Sequence, residues 1–169
     1  MKDFKIFLEV AKNLNNKFKI TPILFGSVGL YKLINYPGKN NDIDILIPNT
    51  FINHRWNKLV RLMEYLKFKL INQKEHEFIR RGKIVAFGKQ NDLKELAKIN
   101  PLTLENVNHQ GIKFKELNLG QYLIIYQLMK RDGYRKYKKG NQDQKKIKLI
   151  KDSLKDQKKR LKNIKNSLP

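Results

Sequence analysis

Two short clusters in the amino-terminal third have the residue types and spacing for phosphate and metal chemistry. The first is Gly26-Ser27, where the apolar run Ile23-Leu24-Phe25 gives way to the helix-like segment from Val28 to Ile34. A strand-to-helix junction turns backbone N–H groups toward an anion and adds the positive end of the helix dipole. Glycine lets the backbone come close, and the serine hydroxyl adds a donor to phosphate oxygens. The second cluster is Asp42-Ile43-Asp44, which begins fifteen positions after Ser27. In a strand, residues i and i+2 share a face, so both carboxylates point one way while Ile43, Ile45 and Ile47 fill the other. Two carboxylates on one face repel each other unless a cation lies between them. A hard divalent ion such as Mg²⁺, or Mn²⁺ in its place, resolves that conflict and can bring a triphosphate with it. Aspartate-held metal beside a phosphate-cradling turn is what in-line phosphoryl or nucleotidyl transfer requires. Each cluster alone is commonplace, Gly-Ser as a turn and Asp-x-Asp as a solvated strand face. Their succession along the chain is the stronger signal.

The elements that must position these residues follow from apolar spacing. Phe4, Phe7, Leu8, Val10, Ala11 and Leu14 recur as on an amphipathic helix. Ile23 to Phe25 reads as a short buried strand, Tyr36 to Asn41 as a turn, and Asp42 to Ile47 as a second strand ended by Pro48. Asn49 and Thr50 are suited to cap one helix carrying Trp56, Leu59, Val60, Met63 and Leu66, with Trp56 in the core. Glu75 to Arg80 and Lys83 to Phe87 predict two strands joined at Arg81-Gly82, followed by a short helix from Asp92 to Ile99. Thr103 to Val107 and Ile112 to Leu117 predict another hairpin. A helix from Gln121 to Met129 and a long final helix from Asn141 complete the chain. This order predicts an α/β (α+β) fold: a mixed β-sheet flanked by helices over residues 1–117, and a basic helical unit over 118–169 that packs on it.

Composition narrows the function classes. The 169 residues hold 37 Lys and Arg against 15 Asp and Glu, a formal charge of +22. Residues 130–169 alone carry 16 basic side chains against four aspartates, a net of +12. Such a potential attracts phosphate-bearing partners, RNA or DNA above all, with the basic carboxy-terminal helix as the candidate surface. A lysine-rich composition that simply fills solvated faces explains the same numbers. No cysteine is present, which excludes disulfides, thiolate metal sites and a cysteine nucleophile. His54, His76 and His109 have no metal-ligand spacing. No apolar run reaches the ~18–20 residues of a membrane helix, and the charged beginning argues against a secretory signal, so a cytoplasmic location is expected.

The stretch Ile23-Leu-Phe-Gly-Ser-Val-Gly-Leu-Tyr31 followed by Asn41-Asp-Ile-Asp-Ile-Leu-Ile47 resembles the nucleotidyltransferase superfamily that includes DNA polymerase β and the minimal nucleotidyltransferases. It covers about a sixth of the chain. The resemblance implies that Gly26 and Ser27 grip a nucleoside triphosphate and that Asp42 and Asp44 hold metal. It further implies transfer of a nucleotide to a hydroxyl acceptor with release of pyrophosphate. A third acid on a later strand completes the site in that superfamily; Glu77 is the choice here, with Glu75 next because it would share its strand face. Neither follows the usual aspartate pattern, and the gap from Ser27 to Asp42 is long. A catalytically inactive member that binds RNA or DNA through its basic carboxy-terminal half is therefore the alternative. Oligomeric state is open. Secondary candidates are Lys32 and Lys39 near the turn, with Lys130, Arg131, Lys138 and Asp143 for substrate contacts. Tyr134 and Tyr137 are candidates for base stacking or for anchoring their loop. Arg80 and Arg81 are expected to be solvated.

Overall fold

The computed structural model describes residues 2–38, 40, 42–131 and 141–166, in two compact units, Met1–Leu117 and Asn118–Pro169. In the first unit, α1 (Lys2–Phe18) is followed by β1 (Ile23–Leu24), α2 (Gly26–Leu33) and β2 (Asp42–Ile47). Then come α3 (Asn49–Asn53), α4 (Trp56–Tyr65), β3 (Lys69–Asn72), β4 (Glu77–Arg80) and β5 (Lys83–Lys89). The unit closes with α5 (Asp92–Ala97), a 3-10 turn at Pro101–Thr103, β6 (Glu105–His109) and β7 (Ile112–Glu116). All seven strands form one mixed sheet in the order β3-β4-β5-β2-β1-β7-β6. The β2–β5 and β1–β7 pairs are parallel and the others antiparallel.

One face of the sheet makes the core. Ile43, Ile45, Ile47, Phe78, Val85, Phe87 and Phe114 cluster there with Phe7, Val10, Ala11 and Leu14 of α1, Val28 of α2, and Leu59, Leu62 and Met63 of α4. Phe7 meets Phe114 edge-on, with ring centroids 5.1 Å apart, so α1 is seated over β7 by aromatic contact. Asn15 fixes that seat with three hydrogen bonds. Its amide donates to the carbonyls of Ile20 (2.6 Å) and Lys113 (2.9 Å), and its carbonyl accepts from the Lys113 amide (2.8 Å).

Two departures from the expected elements are the largest. Strand β3 carries no clear signal in the sequence. Its four residues place Leu70 and Ile71 side by side, which spoils the alternation by which strands are recognised. The helix expected after Asn49 is two helices, because the amides of both His54 and Arg55 donate to the Thr50 carbonyl (2.9 and 2.8 Å) and end the first one. Trp56 is half-buried, packed against the edge of the core beside Phe78.

In the second unit, α6 (Leu119–Arg131) opens with a reciprocal cap. The Gln121 amide donates to Asn118 Oδ1 and the Asn118 amide to Gln121 Oε1, both at 2.9 Å. Helix α7 (Gln142–Asn166) carries buried Asp143, Lys146 and Ile150, and the Lys146 ammonium lies 5.0 Å from the Tyr126 ring centre. Farther along, Leu161 and Ile164 are exposed.

Candidate active site

Antiparallel pairing of β1 with β2 carries the two clusters to one place. Leu24 lies opposite Ile45, and the Phe25 amide donates to the Asp44 carbonyl at 3.1 Å. The next residue, Gly26, turns the chain with φ +64 and begins α2, whose amino end has no side-chain cap. A Cβ at Gly26 would fall on Asp44 Oδ2, 2.7 Å from Cγ. Glycine is thus required twice, for the left-handed backbone and for the approach of main chain to carboxylate. Ser27 follows in the first turn of α2, half-buried.

Asp42 and Asp44 lie half-buried on the side of β2 opposite the core, while Ile43, Ile45 and Ile47 are at most 1% exposed. The shared face inferred from the i, i+2 spacing is present. The register of β2 with β5 pairs Asp42 with Ile84 and Asp44 with Ala86, so the adjoining strand contributes no carboxylate. Glu77 stands one strand further, directly across from Ala86. Asp44, Ala86 and Glu77 therefore form a row across three strands, with the two acids about 10 Å apart at their backbones. Glu75 does not share the face of Glu77. It lies in the exposed turn before β4, its amide bonded to Asn72 Oδ1 (3.1 Å), and the left-handed His76 (φ +55) breaks the alternation between them. Among the described residues, no three of His, Cys, Asp or Glu are grouped so as to hold a metal ion by themselves. A divalent ion at Asp42 and Asp44 would complete its shell with phosphate oxygens and water, which suits Mg²⁺.

The long segment between Ser27 and Asp42 is anchored at both ends of its turn. Gly38 sits against the rings of Tyr31 and Tyr36, which are 5.0 Å apart, and burial together with Tyr36 raises the Tyr31 phenol above its ordinary pKa. Asn40 donates to Asp3 Oδ2 (3.3 Å), and the other oxygen of buried Asp3 meets Lys83 Nζ at 2.8 Å. Asp3 and Asn40 thus steady the approach to Asp42, a role with no signal in the sequence because their positions are 37 apart.

Other candidates have structural partners. Lys32 pairs with Glu116 at 2.6 Å. Arg80 is not simply solvated: its two guanidinium nitrogens donate to the two oxygens of Glu9 (2.8 and 2.5 Å), and Nη1 also donates to the Leu66 carbonyl (2.7 Å). That fork holds Glu9 below its ordinary pKa and Arg80 above its own. His76, edge-on to Trp56 at 4.9 Å, has its pKa lowered by burial and by Lys89. Asp143 is buried in the first turn of α7. Lys39, Tyr134, Tyr137, Lys138 and the side chain of Arg131 lie outside the described residues.

The fold these elements define is nucleotidyltransferase-like, a mixed seven-stranded sheet with flanking helices and a helical carboxy-terminal unit. It matches the solution structure of the antibiotic-resistance factor ANT(2'')-Ia with a TM-score of 0.50 and 8% identity, over 99% of this chain and 100% of the other. At that identity the likeness speaks for the fold alone. No protein-family model matches the chain. The chain belongs to the family of the uncharacterized protein YnaI of Bacillus subtilis (strain 168), being 36% identical to it over 150 residues, 89% of this chain and 96% of that one. Among the described residues, no helix is long and apolar enough to cross a membrane.

Proposed function

We propose that this chain is a metal-dependent nucleotidyltransferase that moves a nucleoside monophosphate from a triphosphate to a hydroxyl acceptor. The observation that carries the reading is the contact of Gly26 with the Asp44 carboxylate, which puts a helix amino end and two same-face acids at one spot. Gly26 and Ser27 grip the triphosphate, and Asp42 and Asp44 hold Mg²⁺, or Mn²⁺, with its phosphates. The ion supplies charge neutralisation at the phosphoryl oxygens. The acceptor oxygen forms a bond to the α-phosphorus as the bond to the β-phosphate bridging oxygen breaks, and pyrophosphate leaves. Glu77, on the row of Asp44, takes the acceptor's proton. All of this belongs to a protein working in the cytoplasm.

The test is calorimetric titration of ATP, GTP, CTP and UTP with and without Mg²⁺, in the native chain and in Asp42→Asn/Asp44→Asn. Metal-dependent binding that falls about a hundredfold in the double variant, roughly 2.7 kcal/mol, is the expected result. No binding of any triphosphate to the native chain would overturn the reading.

A second reading has its own observation in Ile84 and Ala86, the apolar neighbours of Asp42 and Asp44 on β5. In it, the chain is an inactive member of this fold that binds RNA or DNA through its basic carboxy-terminal half. Binding would then be salt-dependent, need no Mg²⁺ and ignore both aspartate substitutions.

A further inference from the structure

A concave surface of about 820 Å³ wraps the end of the sheet at the β4–β5 turn. Its lining includes Ile6 of α1 on the helix side of the sheet and Ile79 of β4 on the side of Asp42. Five basic side chains line it, Lys67, Lys69, Arg80, Arg81 and Lys83, against the single acid Glu9. Two of the five are already committed, Arg80 to Glu9 and Lys83 to Asp3. The other three, Lys67, Lys69 and Arg81, are exposed and have no acidic partner among the described residues. Lys67 and Arg81 have left-handed backbone (φ 64 and 50), Lys67 in the turn after α4 and Arg81 in the turn between β4 and β5.

The sheet register links this surface to the candidate active site. Lys69 lies opposite Ile79, Ile79 opposite Ile84, and Ile84 opposite Asp42. One unbroken row therefore runs from the groove to the first aspartate, about 14 Å across three strand spacings. The row is apolar between its ends, with cation at one end and carboxylate at the other. A strand of nucleic acid suits that sequence of surfaces, because its phosphates need regularly placed cations and its bases or sugars rest on apolar ground.

We propose that the β4–β5 groove is the acceptor track, and that the acceptor is the terminal hydroxyl of a nucleic acid strand whose phosphates lie against Lys67, Lys69 and Arg81. The assignment rests on the nucleotidyltransferase reading above and names its acceptor class. A rival polyanion surface exists on α7, where Lys145, Lys148, Lys151 and Lys155 surround Asp152. It lies on the other compact unit, and no strand register connects it to Asp42.

The experiment compares binding of labelled single-stranded RNA and DNA oligonucleotides over a range of salt. The variants are Lys67→Gln/Lys69→Gln/Arg81→Gln, Lys69→Glu alone, and a control, Lys148→Gln/Lys151→Gln/Lys155→Gln. Lys69→Glu guards against a folding artefact, because Lys69 sits exposed in ordinary strand backbone. The groove triple variant is expected to bind at least tenfold more weakly at 0.1 M salt. Its log–log salt slope should fall by about 2, from three lost contacts at roughly 0.7 each. Lys69→Glu should move the same way, and the α7 control should stay close to native. RNA and DNA arms that respond alike identify the phosphodiester chain as the ligand, and a stronger RNA response adds its ribose hydroxyl. The proposal is overturned if the groove variants bind like the native chain, or if the native chain binds neither strand at low salt. ATP titration in the same groove variant separates the two ideas. Retained Mg²⁺-dependent binding there, with nucleic acid binding unchanged from native, sinks the track and spares the nucleotide site. Absent triphosphate binding in the native chain sinks the nucleotidyltransferase reading instead.

Discussion

Strand β2 has two faces with opposite physics. Toward the helices it sets Ile43, Ile45 and Ile47, each at most 1% exposed, among Phe7, Val28, Leu59 and Phe87. On the other side it sets Asp44 against the Gly26 backbone, with the apolar Ile84 and Ala86 as the strand neighbours of Asp42 and Asp44. Free energy of folding is concentrated on the first face, since each large buried apolar side chain contributes several kcal/mol. Substitutions on the second face change charge and shape with little consequence for the core. Stability and chemistry are thereby separated by the pleat of one strand.

Neighbouring residues on β4 break that comparison most forcefully. Phe78 is fully buried and Glu77, beside it, faces the other way. Phe78→Ala is expected to lose about 3–5 kcal/mol in chemical denaturation, and Glu77→Gln less than about 0.5 kcal/mol. Equal losses would show that the two faces are not separate.

Gly26 is where the faces are least independent. An alanine there meets both the left-handed backbone penalty and the Asp44 carboxylate, so about 2 kcal/mol of stability should be lost. Triphosphate affinity in calorimetry should fall with it. A variant as stable as the native chain would mean that the turn relaxes freely.

Ala86→Asp sharpens the comparison from the other side. It puts a third carboxylate in register beside Asp44. The expected result is Mg²⁺-dependent triphosphate binding about tenfold tighter, roughly 1.4 kcal/mol, with weaker affinity when the metal is chelated. Unchanged metal dependence would place the ion away from this row.

The smallest effect concerns Glu9 and Arg80, on the helix side. Because the Arg80 fork lowers the Glu9 pKa from its ordinary 4.5, their contribution is complete above that pH. It is lost as pH falls through the lower folded value. Glu9 is 40% exposed, so the stake is below about 1 kcal/mol. Glu9→Gln should flatten the acid limb of a thermal-stability profile by that amount and leave the neutral region only slightly lower.

The sequence made some of this legible and hid the rest for physical reasons. Asp42 to Ile47 was readable as a strand to the residue, because Asp42 and Asp44 alternate with Ile43, Ile45 and Ile47 and Pro48 ends the run. Gly26-Ser27 was readable as a junction, although α2 begins at Gly26 itself and not at Val28. Pairing is a different matter. Nothing local says that Ala86 lies beside Asp44 or that Glu77 lies beyond it, since register is decided by the whole sheet. The same holds for Asp3, Asn40 and Lys83, distant in sequence and joined only by folding. Arg80 looked like one more surface cation until Glu9 and the Leu66 carbonyl were beside it.

The alanine at position 86 also has a genetic side. Every alanine codon becomes an aspartate or glutamate codon when its second base changes from C to A, so a third acid beside Asp44 is a single mutational step away. The reverse step is equally short. With the core on the far side of the pleat, neither change would disturb folding much, and a lineage could cross between the two forms repeatedly. Under the proposed nucleotidyltransferase reading, natural variants of this chain at codon 86 would then record selection on that chemistry.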